Sequence, residues 1–285
     1  MNDIDNELEV SYKEKVGWLT LMHDILARKV LSYADAAESI LRTIMQKPDL
    51  QVKHSGVQAD LKNLWGRSII LDCVATDSDG TVYNIEIQQD TAGASPYRAR
   101  YHAGLLDMYH LRESQGFDKL PESVIIFITR NDVLGDDLPI YHIERKIDEN
   151  GKSFGDKSHI IYATASYRGD DALGRLMHDL CSTNPDDMYD TTLARRVRYF
   201  KKEEGVTVMC SELERIKDEG RAEGLAEGLA EGLAKGCKEG ALEHARDTAL
   251  ELATTFGFSA GQIAKAVSVD EKTITQWLAE AGIDQ

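Results

Sequence analysis

The run Ser123 to Thr129, SVIIFIT, contains five consecutive apolar residues with no polar alternation. As a strand it must be covered on both faces, which requires a sheet held between helical layers. The residues before it supply those layers. Asp35 to Met45, DAAESILRTIM, sets Ala37, Ile40, Leu41, Ile44 and Met45 at helical spacing, and Pro48 marks the end. Two short β-like runs follow, Ser68 to Ala75 (SIILDCVA) and Thr81 to Gln88 (TVYNIEIQ), and the turn-rich segment TDSDG joins them as a hairpin. A helix is predicted from Pro96 to Ser114, with Pro96 in its first turn and Gly116 at its exit. Helix, hairpin, helix and buried strand in that order describe an α/β fold with a mixed sheet flanked by helices. A second strand, HIIYATA from His159, and helices over 171–181 and 187–203 are expected within or against the same core.

A chain of 285 residues, 42% of them apolar, can bury one substantial core and still carry an appendage. The composition changes after Glu214, where glycine recurs every four residues from Gly220 to Gly240, mostly in the unit EGLA. Each glycine costs a helix about 1 kcal/mol relative to alanine. Residues 215–242 are therefore read either as a linker or as an assembly helix whose bare glycine face meets a partner, with a homo-oligomer as the expected product of the second case. Residues 243–285 predict three short helices, with Ser259 and Asp270 as caps of the last two. Within them Ile263, Ala264, Val267, Val269, Ile274 and Trp277 fall where a helix-turn-helix buries its apolar residues, and Ser268 takes the turn position usually given to glycine. The would-be recognition helix begins Asp270-Glu271, which opposes phosphate contact, so a small packing or protein-interaction module is the alternative.

No apolar run reaches the roughly 20 residues of a membrane-spanning helix, and the start MNDIDNELEV is acidic where a secretory leader is basic and then apolar. A soluble cytoplasmic protein with no membrane partner is expected. The cysteines Cys73, Cys181, Cys210 and Cys237 form no CxxC or Cys/His cluster, which argues against a zinc site or a disulfide framework. A formal net charge of −16 excludes a general nucleic-acid-coating protein, so any contact with phosphate must be local and assisted by a cation. No phosphate-binding GxxxxGK[ST] loop, GxSxG elbow or HExxH pair occurs, which disfavours nucleotide use, serine hydrolysis and zinc proteolysis.

The chemistry concentrates in LDCVATDSDGTVYNIEIQQD. Glu86 and Gln88 are two apart on one strand and share a face, while Ile85 and Ile87 turn into the core. The hairpin can bring Asp72 beside them. Carboxylates converging on one point repel unless a cation lies between them, and hard oxygen ligands with open positions suit Mg²⁺ or Mn²⁺. The competing reading makes Asp72 and Glu86 ordinary polar-face residues of a half-exposed hairpin.

Asp72 followed by Glu86-Ile87-Gln88 resembles the PD-(D/E)XK nuclease signature with glutamine in the lysine place. The closer resemblance is to the recombination-promoting nuclease family, related to transposases, through GRSIILDCVATDSDGTVYNIEIQ, PYRARYH and NDVLGDDLPIYHIER. It covers about residues 30–205, and the EG-rich repeat separately resembles tails common in the family. The resemblance implies a restriction-endonuclease-like fold over 1–214, DNA as partner and substrate, and Mg²⁺-dependent phosphodiester hydrolysis in recombination or DNA mobility. It also implies Asp72, Glu86 and the Ile87 backbone carbonyl as metal ligands, with Gln88 as the remaining catalytic position. Glu38 would be an extra acidic residue near the metal or else a solvated helix carboxylate. Arg98 and Arg100, beside His102, would contact phosphate or else serve as surface ion-pair partners. Glutamine is neutral and orients only by hydrogen bonds, so a catalytically weak relative that binds nucleic acid or protein is the second functional class.

Overall fold

A computed structural model describes residues 3–61 and 69–283, with the side chains of 3–10, 58–60 and 91 left aside. Two compact units divide the chain, Met1–Glu214 and Arg215–Gln285.

In the first unit, α1 (Asp3–Trp18), α2 (Asp24–Leu31) and α3 (Ala34–Ile44) precede β1 (Val52–Leu61), β2 (Ile69–Asp77) and β3 (Val82–Gln88). Then come α4 (Pro96–His110), β4 (Ser123–Thr129), β5 (Ile140–Ile143), β6 (Ser158–Thr164), α5 (Ala172–Cys181) and α6 (Thr191–Lys202). The strands form one mixed sheet in the order β1-β2-β3-β4-β6-β5. The hairpin pairs β2 and β3 antiparallel, whereas β3 with β4 and β4 with β6 are parallel. This is the α/β architecture expected from the buried run, and every residue of β4 is buried. One face of the sheet packs α2, α3, α5 and α6 around Ile85, Ile87 and Ile126, and the other packs α4 around Ile125 and Phe127.

Several elements differ from the sequence expectation. Helix α4 stops at His110 rather than Ser114, because Leu111 is extended and a turn follows in which Arg112 N donates to Gln115 Oε1 at 2.8 Å. Gly116 instead precedes a short 3-10 turn, Phe117–Lys119. Strand β1 was not foreseen, since VKHSGVQADL lacks apolar alternation, and it forms as the polar edge strand of the sheet. Ser68, the expected start of the hairpin, lies outside the described residues.

The glycine repeat is helical, within α7 (Gly205–Phe256). Alanine, leucine, glutamate and lysine fill the positions between glycines and are strong helix formers. The helix has buried residues only near its ends, Gly205 and Met209 in the first unit and Ala249 and Ala253 in the second, and residues 214–244 are all exposed. So the first of the expected tail helices is the end of α7, followed by α8 (Ala260–Val267) and α9 (Glu271–Glu280). The predicted caps hold: Gln262 Oε1 accepts from Ser259 N at 3.0 Å, and Asp270 Oδ1 accepts from Thr273 N at 2.9 Å. Ser268 takes the left-handed turn, φ 56°, and Ile263, Ile274 and Trp277 form the small core with Ala249 and Ala253. No helix of the described residues is long and apolar enough to cross a membrane.

A Cβ placed at Gly224, Gly228 or Gly232 meets no described atom within 4 Å. Each Gly→Ala change at these positions should stabilise the helix by about 1 kcal/mol, and amide hydrogen exchange across the repeat should slow accordingly. Unchanged exchange in the triple variant is the contrary result.

Candidate active site

Asp77 sets the hairpin. Its Oδ1 accepts from Asp79 N and Thr81 N, both at 2.9 Å, and its Oδ2 accepts from the Tyr83 hydroxyl at 2.8 Å. Gly80 takes a positive φ, 88°, that a side chain disfavours. This turn registers Thr76 against Val82 and Cys73 against Ile85, which brings Asp72 opposite Glu86.

There the backbone ladder gives way to the two carboxylates. Asp72 N donates to Glu86 Oε1 at 3.1 Å, and Ile87 N donates to Asp72 Oδ2 at 3.3 Å. Each strand's carboxylate thus takes a backbone N–H from the other strand. The N–H and C=O of one strand residue point the same way, so the Ile87 carbonyl is presented to the Asp72 side.

Glu86 is not on a half-exposed face. It is 0% exposed, because β3 lies inside the sheet and α4 covers this side. Helix α4 is started by Ser95, whose Oγ accepts from Arg98 N at 3.3 Å, with Pro96 in the first turn. Its inner face, Ala99, His102, Ala103 and Leu106, is buried toward the sheet. Arg98 Nη2 reaches to 3.5 Å from Glu86 Oε2, while its Nη1 donates to Gly93 O at 2.9 Å and its Nε to His102 Nε2 at 3.2 Å. A guanidinium only donates, so His102 Nε2 accepts and the proton of the neutral ring sits on Nδ1. That nitrogen lies 3.7 Å from Glu86 Oε1 and 3.4 Å from Asn84 Nδ2. Burial, then the Arg98 charge, pushes His102 down to about 4, so the ring is neutral near pH 7.

Burial is also the main cause holding Asp72 and Glu86 above the ordinary carboxylate range. Asp24 at the start of α2 adds to it for Asp72, and Asp72 adds to it for Glu86. Glu86 Oε2 has no hydrogen-bond partner among the described residues. A buried carboxylate oxygen with no hydrogen bond and a like charge beside it is stabilised by a cation, and the ion-paired Arg98 supplies part of that charge. The donor set is compatible with a hard divalent ion: Asp72, Glu86 and the Ile87 carbonyl, with water in the remaining positions. No group of three or more His, Cys, Asp or Glu among the described residues converges to hold a metal.

Gln88 emerges on the Glu86 face, partly buried, and lies over Gly93. A methyl group at Gly93 would overlap Gln88 Oε1 and come within 3.5 Å of Arg98 Nη1. Gly93 therefore lets the amide lie close to the arginine. The other expected residues are spread more widely. Glu38 is engaged elsewhere, accepting from Val52 N at 2.9 Å and pairing with Arg42 at 2.7 Å. Arg100 stands exposed on α4, its guanidinium 5.8 Å from the Tyr97 ring centroid. Sequence reasoning did not single out Asn84, Asp24 or the burial of His102. Asn84 had a legible signal, the alternation N-I-E-I-Q, which sets 84, 86 and 88 on one face. Asp24 had none, since only packing of α2 on the sheet brings its charge toward Asp72.

Comparison with protein-family models, curated proteins and solved structures finds no match to this chain.

A carboxyl whose folded pKa is raised is stabilising when protonated. The stability is full below the unfolded value, 4.5 for Glu86, and is lost as pH rises through the raised value. Glu86→Gln, which stays neutral, should therefore melt like the parent under acidic conditions and progressively higher than the parent as pH rises, in the presence of a chelator. A melting difference independent of pH would contradict the burial argument.

Proposed function

We propose that the chain is a metal-dependent phosphodiesterase, and specifically a DNA endonuclease of the PD-(D/E)XK type using Mg²⁺ or Mn²⁺. The observation that carries the reading is the reciprocal Asp72–Glu86 arrangement with the buried Glu86 Oε2, which accepts no hydrogen bond among the described residues and is approached by Arg98 at 3.5 Å. The order α3, β1, β2, β3, α4, β4, with an antiparallel meander followed by a parallel strand, supports a restriction-endonuclease-like core. The sequence resemblance supplies DNA as substrate, and recombination or DNA mobility as setting.

In this reading Asp72, Glu86 and the Ile87 carbonyl would hold the ion. When bound, it supplies Lewis acidity toward a phosphate oxygen and lowers the pKa of water. Arg98 limits the repulsion between the carboxylates and presents positive charge to the substrate phosphate. His102, neutral and buried, holds the Arg98 guanidinium in place through Nε2 and carries no charge to compete with the ion. The Gln88 amide orients water by hydrogen bonds, but as a neutral group it neither donates charge nor takes up a proton. That neutrality favours slow turnover and is the one observation behind the second reading, a binding module with little catalysis.

Asp72→Ala and Glu86→Ala should each abolish Mg²⁺-dependent cleavage of plasmid DNA and weaken metal binding by calorimetry, with the fold retained by circular dichroism. Parental protein that cleaves no DNA with either metal rules out the endonuclease. Gln88→Ala should slow single-turnover cleavage by about a hundredfold, the scale of lost positioning at a reacting centre, with metal affinity nearly unchanged. Gln88→Lys should retain activity. A Gln88→Ala protein cleaving at the parental rate would remove Gln88 from the site.

A further inference from the structure

Next to the carboxylate pair, a cavity of about 950 Å³ opens between the start of β2 and the first turns of α4. Arg98 and His102, which face Glu86, also line it, so cavity and carboxylates share a wall. Ile70, two residues before Asp72 and so on the same strand face, lines it from β2. The rest of its character comes from Tyr97, Arg100 and Tyr101.

The lining is unusual for this chain. The protein carries a net charge of −16, yet the described residues around the cavity include two arginines and no carboxylate. Tyr97 is 77% exposed and Tyr101 is 37% exposed, each an apolar ring with a polar tip turned to the cavity side of α4. Spaced four apart on α4, they stand one above the other on a single helix face. Among the described residues the Tyr97 ring lies outside the apolar cluster on that side of the sheet. Aromatic rings presented beside arginines and next to a phosphodiester-cleaving centre have a known chemical complement, a nucleobase with its face uncovered and its flanking phosphates. A base inside a duplex offers no free face, because its neighbours stack on both sides. The volume lies within the range of small-molecule pockets and so accommodates a single nucleotide.

Resting on the DNA-cleavage reading above, we infer that this cavity receives an unstacked base of single-stranded DNA, with Tyr97 and Tyr101 as its stacking platform and Arg98 and Arg100 on its phosphates. The preferred substrate is then a single strand, or a single-stranded stretch within a longer DNA, rather than uninterrupted duplex.

The test is a binding measurement that needs no catalysis. A short single strand carrying 2-aminopurine is titrated with the full-length protein in chelator, beside the same sequence annealed to its complement. The single strand should bind more tightly, and the fluorescence of the probe should change as it leaves its neighbours for a tyrosine ring. Tyr97→Ala should weaken single-strand binding by about tenfold, the loss of one base–aromatic stack, and leave duplex binding unmoved. Tyr97→Trp should restore it. Arg100→Ala should reduce the slope of log affinity against log salt by about 0.7, one phosphate contact to a single strand. Equal or tighter duplex binding, no binding of either DNA, or indifference to Tyr97→Ala overturns the inference. If the stacking signature is present but no metal cleaves the strand, the catalytic reading fails and the base site stands. If cleavage requires Asp72 and Glu86 while binding ignores Tyr97, the reverse holds.

Discussion

Strands β3 and β4 lie parallel in the interior of the sheet, and every side chain of β4 is buried. A strand with no solvent face needs apolar cover above and below, and the two helical layers provide it. The same constraint decides the chemistry of β3. Its residues alternate between the α2/α3 side, where Tyr83, Ile85 and Ile87 complete the larger core, and the α4 side, where Asn84 and Glu86 project. A carboxylate that would sit in water on an edge strand is here forced under a helix, and its solvation must come from the protein.

The protein provides only part of that solvation. Glu86 Oε1 has the Asp72 amide, Arg98 approaches Oε2 without a hydrogen bond, and the nearest ring nitrogen belongs to a neutral histidine. A buried ion incompletely compensated by its surroundings is destabilising unless another charge arrives. Such local cost is characteristic of sites that hold a cation or move a proton, because a fully satisfied carboxylate would have little to gain from either. The Asp72 and Glu86 exchange with backbone N–H groups also makes the geometry resistant to repulsion, since each side chain is tied to the opposite strand.

The second unit rests on a different balance. Residues 214–244 are helical with no buried side chain, and the repeat carries glycine every fourth position. The leucines Leu225, Leu229 and Leu233 are all exposed. Helical propensity of the intervening residues opposes the glycine cost over this stretch without help from an apolar core. Beyond it, α8 and α9 close a small cluster around Trp277 and Ile263.

Much of the architecture was legible in residue order. The unbroken SVIIFIT run demanded a sheet with two covered faces. The TDSDG turn dictated a hairpin, and alternation in NIEIQ assigned Glu86 and Gln88 to one face, because these are local rules with periods of two to four residues. Caps at Ser259 and Asp270 were legible for the same reason. What no local rule contains is which helix covers which face. That Arg98 and His102 close over Glu86, that Asp24 raises the electrostatic burden on Asp72, that Glu38 turns to β1, and that polar VKHSGVQADL becomes an edge strand all depend on contacts between residues distant in the chain. The sequence alone thus determined where the carboxylates fall along the strands. Their burial, pairing and incomplete compensation were decided by tertiary packing, since solvation is set by neighbours in space and not by neighbours in sequence.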